Sequence, residues 1–149
     1  MPIRNATTAD IPAIVAMSER FYATTTYRTF AAFCPETVAE LAHTLIDRGI
    51  VLLAENDAGE VIGMVGLFVA PFMFNRDRCA AYEVMWWVNP DAQGAGAGKA
   101  LLAAVEPACR AAGCHAAQMV HLSTSPPQAA ALYERLGYAH SETSYTKVL

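Results

Sequence analysis

A mixed α/β domain in the order β-α-α-β-β-β-α-β-α-β is what the sequence predicts, on three observations. Apolar residues recur at helical spacing over residues 11–22 and again over 38–46. Three strand-like runs then succeed one another between residues 50 and 88 with only short joints, the pattern of an antiparallel meander. A glycine-rich junction leads from the third run into an Ala-rich helix, and a further apolar run after that helix makes a β-α-β crossover. The 149 residues match the size of one domain, so residues 1–149 are expected to fold as a single unit.

The elements follow in order. Ile3-Arg4 opens a short strand, and Thr7 with Asp10 stands where a helix cap belongs, ahead of a stripe of Ile11, Ile14, Val15, Phe21 and Tyr22. The Thr- and aromatic-rich residues 23–34 interrupt it. Pro35 and Glu36 then begin a second helix with Val38, Leu41, Ala42, Leu45 and Ile46 on its apolar face, ended by Gly49. Ile50–Ala54 and Val61–Ala70 read as strands joined by Asn56-Asp57-Ala58-Gly59, a hairpin signal. Asn75-Arg76-Asp77-Arg78 reads as the next turn and Cys79–Val88 as the third strand. The helix after the glycines carries Leu101, Leu102, Val105, Ala108 and Cys109, contains Pro107, which should bend it, and closes at Gly113. A strand at Ala116–Leu122, a helix at Gln128–Leu136 and a last strand from about Ser141 to Val148 complete the chain.

Composition narrows the function classes. Hydrophobic residues make up 54% and charged residues 16%, which excludes a disordered chain. The longest uncharged apolar stretch, Val61 to Phe74, holds two glycines and a proline and falls short of the roughly 20 residues a spanning helix needs, so no membrane partner is expected. Net charge is −4 and no Lys/Arg cluster exceeds the spaced pair Arg76 and Arg78, so no nucleic-acid partner is expected either. The N-terminal residues lack an apolar signal core, which suggests a cytoplasmic protein. Cys34, Cys79, Cys109 and Cys114 form no Cys-x-x-Cys pair and read as thiols of a reducing compartment. His43, His115 and His140 stand alone and no metal-ligand spacing occurs, so no metal is expected.

The chemical signature lies between Val88 and Lys99. Glycines at a strand-to-helix junction let the backbone approach a ligand and turn its N–H groups inward, and the helix N-terminus adds donors suited to phosphate. A Walker loop is excluded because Gln93 replaces its first glycine and Ala100 its hydroxyl residue. The dinucleotide fingerprint is excluded because Lys99 occupies the third glycine position and the preceding strand belongs to a meander. Gln93, Gly96 and Gly98 do satisfy Gln-x-x-Gly-x-Gly.

On that motif the chain resembles the GNAT superfamily of acyl-CoA-dependent N-acetyltransferases. The likeness extends over nearly the whole chain: Ile3-Arg4 with Asp10-Ile11 is similar to the family's opening, Trp86-Trp87-Val88-Asn89-Pro90 to its fourth strand, and Ala131 to Tyr138 to its penultimate helix. The resemblance implies a twisted, mostly antiparallel sheet of six to seven strands flanked by four helices, with acetyl-CoA as co-substrate. The backbone of Trp86, Trp87 and Val88 would pair with the pantetheine arm. The N–H groups of Gln93, Gly94, Ala95, Gly96, Ala97, Gly98 and Lys99 would hold the pyrophosphate. Pro126 departs from the pattern, since family members often carry an Asn there that contacts the coenzyme.

Acyl transfer to an amine needs a base for the amine, stabilisation of the carbonyl oxygen and a proton for the leaving thiolate. By resemblance Tyr133 matches the tyrosine that reaches the coenzyme sulfur, although it also continues the apolar stripe of its helix. Two residues compete as base. Glu83 is the only carboxylate in the run Cys79–Val88, so burial would raise its pKa to a useful value. Strand parity, however, sets Glu83 on the face opposite Val88 unless a bulge intervenes. His121 matches a fifth-strand Glu of the ribosomal-protein branch of the family, and an unperturbed histidine titrates near 6.5. A relay through bulk water is the third alternative. Phe21, Tyr22, Tyr27, Phe30, Phe72, Met73, Phe74 and Tyr145 lie in the regions where the family binds its acceptors, and could receive an apolar or aromatic small-molecule amine or a peptide N-terminus, or simply pack. The expected activity is acetyl transfer to a primary amine by direct attack in a ternary complex. A coenzyme-binding regulatory module without turnover is the alternative, and a homodimer is suggested by family analogy alone.

Overall fold

The computed structural model describes all residues from Met1 to Leu149. Strands β1 (Ile3–Asn5), β2 (Ile50–Glu55), β3 (Val61–Phe72), β4 (Asn75–Val88) and β5 (Ala116–Gln118) form one sheet in that spatial order. Neighbours are antiparallel from β1 to β4, while β5 adds parallel to β4 after the crossover through helix α3 (Ala97–Ala111). The meander and the crossover both appear where the sequence predicts them. The sheet is therefore mixed, but it holds five strands and not six or seven.

Helices α1 (Ile11–Ala23) and α2 (Pro35–Arg48) cover one face. Their Ile14, Met17, Ala42 and Leu45 pack with Val51, Leu53, Met64 and Met85. On the other face Leu101, Leu102, Val105 and Cys109 of α3 pack with Leu52, Ala54, Val65, Leu67 and Ala81. Helix α4 (Pro127–Arg135) contributes Tyr133 to this second core. The central strands carry apolar residues on both faces because both faces are covered, which explains their unbroken hydrophobic runs. Leu53, Val65, Leu67, Leu101 and Val105 are sealed from solvent, and burying each such side chain contributes about 1.5–3 kcal/mol.

At the N-terminus the Asp10 carboxylate accepts hydrogen bonds from the Thr7 N–H (2.7 Å) and hydroxyl (3.0 Å), as a capping residue should. Arg4 forks onto both Asp10 oxygens and also reaches Glu55 at 2.7 Å, which ties β1 to the end of β2 and to the entry of α1. That guanidinium holds the Asp10 carboxyl well below the usual carboxylate range.

Three local expectations are corrected. Asn75 to Arg78 belong to β4, and the hairpin turn is Met73-Phe74, because Asn75 pairs with Phe72 and the exposed polar residues form the hairpin stem. The strand expected at Ala116–Leu122 stops at Gln118, where its partner strand diverges. The expected last strand, Ser141 to Val148, is not a strand: Tyr145 is 94% and Val148 53% exposed, and the polar alternation there offers no apolar face for the sheet to bury. Pro107 sits inside α3 without ending it.

Candidate active site

The site grows from a change of partner along β4. The parallel ladder consists of Ala80, Ala81 and Tyr82 paired with Ala116, Ala117 and Gln118, and there it ends. From Glu83 to Val88 the β3 side of β4 stays paired except at Val84, while the opposite edge has no strand beside it. Backbone N–H and C=O groups on such an edge are ready to pair with an extended ligand.

A β-bulge marks the same point. Gly66 pairs with Met85 and Leu67 with Glu83, so Val84 is the extra residue and has no partner on β3. One extra residue reverses the in-and-out alternation on either side of it. Glu83 is thereby turned onto the α3/α4 face with Trp86 and Val88, as its partner Leu67 is, and not onto the opposite face that strict parity gave it. Nor does it pair with Arg76 or Arg78.

Its partner is the main chain after β5. Glu83 Oε2 accepts the Val120 N–H at 2.7 Å, and the Val120 carbonyl accepts the Tyr133 hydroxyl at 2.9 Å. One residue of backbone thus bridges the two candidate catalytic side chains. Burial pushes the Glu83 carboxyl up to about 7, against the smaller opposing effect of the Val120 N–H. Tyr133 is also held well above its ordinary pKa, first by burial and then by the neighbouring Glu83 charge. Its ring packs against Trp86 at 5.5 Å and Tyr138 at 5.8 Å between centroids. Tyr133 therefore packs its ring in the core while its hydroxyl reaches the Val120 main chain beside Glu83.

A cavity of about 90 Å³ opens beside Glu83, lined by Phe21, Tyr27, Val84, Trp86, Val120, Leu122 and Ser125. Of the aromatic residues named as acceptor candidates, Phe21 and Tyr27 reach it. Tyr22 instead donates its hydroxyl to the Ala31 carbonyl, Phe72 and Phe74 meet edge to face at the exposed hairpin tip, and Tyr145 lies on the exposed tail. A larger depression of about 580 Å³ lies between α1 and α2, lined by Ile11, Ala39, Glu40, His43, Thr44, Asp47 and Arg48. It is open to solvent and holds none of the candidate catalytic or coenzyme-binding residues.

His121 is exposed, with Nε2 3.3 Å from the Pro126 carbonyl oxygen, and it does not line the cavity although both neighbours do. Val120 and Leu122 border the cavity, while His121 between them is turned to solvent. Ser125 Oγ accepts the Leu122 N–H at 3.0 Å and shapes this turn. Pro126 precedes α4 and offers no side-chain donor.

The glycine loop lies between Val88 and α3. A short 3₁₀ turn at Pro90–Ala92 follows the strand, and the Gln93 side chain returns to the Val88 carbonyl at 3.2 Å. Gly94 and Gly96 both adopt φ near +89°, which L side chains rarely do, and a Cβ on either would project into open space. Gly96 caps α3, so the first N–H groups of that helix have no partner within it. Gly98, by contrast, has an ordinary helical φ, and a Cβ there would sit in van der Waals contact with the Trp86 ring at 3.4 Å.

These features fit an acetyl-CoA coenzyme. The unpaired edge of β4 suits its extended arm and the loop suits a phosphate, with Trp86 between them. The Trp86 Nε1–H is the one buried side-chain polar atom without a partner, whereas Trp87 Nε1 donates to Asn89 at 3.1 Å. No three His, Cys, Asp or Glu side chains gather as metal ligands, and no helix is long and apolar enough to cross a membrane.

Residues 16–138 match the profile of the Acetyltransferase (GNAT) family. No curated protein matches the sequence. Among solved structures the chain is similar to an acetyltransferase of Trypanosoma brucei (20% identity, 99% of each chain, TM-score 0.73). It is also similar to a ribosomal-protein-alanine N-acetyltransferase of Brucella melitensis biovar Abortus (17% identity, all of each chain, TM-score 0.73). A third is a predicted acetyltransferase of Clostridium acetobutylicum with acetyl-CoA (14% identity, 98% of this chain and 94% of that one, TM-score 0.74). At such identities the structural likeness establishes the fold, and the profile match establishes the descent. The chain belongs to the GNAT family of acetyltransferases.

Proposed function

We propose that this protein is an N-acetyltransferase that moves the acetyl group of acetyl-CoA onto a primary amine of a small molecule or peptide, by direct attack in a ternary complex. The observation that carries this reading is the Glu83–Val120–Tyr133 bridge at the point where β4 loses its strand partner. When bound, acetyl-CoA supplies an activated acetyl thioester. Gln93 to Lys99 hold its pyrophosphate through backbone N–H groups, and the free edge of Trp86, Trp87 and Val88 holds its arm.

Glu83 is the base. A carboxylate titrating near 7 accepts a proton from the amine and stays half-ionised at neutral pH, which an ordinary carboxylate does not. The outward-facing His121 lacks this access. A backbone N–H on the free edge of β4 steadies the carbonyl oxygen as charge develops there. Tyr133 turns its hydroxyl from the Val120 carbonyl to give that one hydrogen bond to the departing sulfur. Its raised pKa makes complete proton transfer to a thiolate of pKa near 8.5 uphill, so the proton that neutralises the sulfur comes from Glu83.

The cavity favours an acceptor with an apolar body. Phe21, Tyr27 and Trp86 offer aromatic faces, Glu83 is the only charged group in the lining, and no Lys or Arg is there to balance an acceptor carboxylate. The test is thiol release from acetyl-CoA with β-phenylethylamine, phenylalanine and a peptide with an apolar N-terminal residue. β-Phenylethylamine is expected to be used at least about tenfold more efficiently than phenylalanine. Equal use overturns the acceptor assignment. Coenzyme binding in calorimetry with no acceptor turned over identifies a regulatory binding module, and no coenzyme binding overturns the whole reading.

A further inference from the structure

The cysteines are not scattered in the fold. Cys79 lies on β4 and Cys114 on the turn between α3 and β5, with their Sγ atoms 3.5 Å apart. The backbone fixes this approach. The His115 N–H donates to the Cys79 carbonyl at 2.7 Å, and His115 Nδ1 accepts the Cys79 N–H at 3.1 Å. The next residues, Ala80 and Ala116, form the first rung of the parallel ladder. Both thiols are half-buried and within reach of a small reagent, whereas Cys109 is buried and Cys34 sits exposed at the start of α2.

We propose that Cys79 and Cys114 form a modification site that reacts with a low-molecular-weight disulfide and closes an intramolecular S–S bond across the foot of β4 and β5. The Cys79 thiolate attacks one sulfur of the reagent, whose S–S bond breaks and releases half of it as a thiolate. Cys114 then gives its proton to solvent and attacks the Cys79 sulfur, releasing the second half. Two electrons pass from the cysteines to the reagent, which becomes two thiols. Burial and the neighbouring thiol push Cys114 up to about 12, which keeps it protonated and leaves the first attack to Cys79.

The ring so closed contains residues 80–113, and with them Glu83, the free edge of β4, the glycine loop and α3. The parallel ladder it would reinforce is only three residues long and helps to set β5, and so Val120, beside Glu83. The site stands independently of any acetyl transfer.

Reduced Cys34→Ser protein treated with oxidised glutathione is the test, followed by intact mass, thiol titration and peptide mapping. The expected product has lost two hydrogens and two of its three thiols, maps as a Cys79–Cys114 link, and melts about 5–10 °C higher than the reduced form. Added Cys79→Ser or Cys114→Ser should abolish both the link and the shift in Tm. A glutathione adduct that persists on Cys79, a link through Cys109, or three thiols still free in protein whose reduced Tm is unchanged would each overturn the proposal.

Discussion

The two halves of β4 show how one strand serves structure and chemistry in turn. Ala80 to Tyr82 are paired on both sides, by β3 and by β5, and the small side chains of Ala80 and Ala81 are buried. Apart from the bulged Val84, Glu83 to Val88 are paired on one side only, and carry a half-buried carboxylate and two tryptophans. The boundary is the bulge at Val84, and the last strand pair lies just before it. In the first half the backbone polar groups are satisfied by the protein. In the second, one edge has no strand partner, and the bulge turns the Glu83 side chain onto the face of α3 and α4. A site of this kind results from ending a ladder early and adding one residue.

That contrast can be broken in stages. The Tyr133→Phe variant removes one hydroxyl from the gap and leaves the packed ring in the core. It should lower kcat about 10- to 100-fold while coenzyme affinity stays within about threefold; an unchanged kcat would make Tyr133 a packing residue only. A smaller effect is expected at the loop. Gly96→Ala forces an L residue into φ near +89°, at about 1–2 kcal/mol, and sets a methyl group where phosphate would lie. Gly59→Ala imposes similar strain at the remote β2–β3 hairpin. Both should lose comparable Tm, but only Gly96→Ala should also weaken acetyl-CoA binding in calorimetry, by about tenfold. Equal affinities in the two variants would detach the loop from the coenzyme.

Much of this architecture is legible in the sequence because local chemistry dictates it. The Asn56-Asp57-Ala58-Gly59 joint, Pro35 at a helix start and the alternating glycines each demand one backbone state, and each occurs. The orientation of Glu83 was not legible. Tyr82 to Trp87 are apolar on both faces apart from Glu83 itself, so a skipped residue leaves no break in the pattern, and strict parity pointed the wrong way. The thiol pair was hidden for a related reason: Cys79 and Cys114 meet only through a crossover, and sequence distance says nothing about a parallel rung. His121 and Glu83 look equally fit as bases from their chemistry, and only the course of the chain after β5 separates them, by turning His121 to solvent. The last strand was misread because alternation alone does not bind a tail to a sheet when neither face is apolar.

The most direct test of the account is the pH dependence of kcat/KM for the amine in wild type, Glu83→Gln and His121→Asn. The carboxylate must be ionised to accept a proton, so activity should rise with pH through a limb near 7, where burial sets Glu83. The same raised pKa makes the protonated carboxyl the better-tolerated form, so stability from this group is full below about 4.5 and is lost as pH rises through about 7. In Glu83→Gln the limb should disappear and the plateau fall by about 10²–10⁴-fold, while His121→Asn keeps the limb and stays within about twofold of wild type. A limb that survives in Glu83→Gln and vanishes in His121→Asn would contradict the central claim that the Val84 bulge delivers the catalytic base.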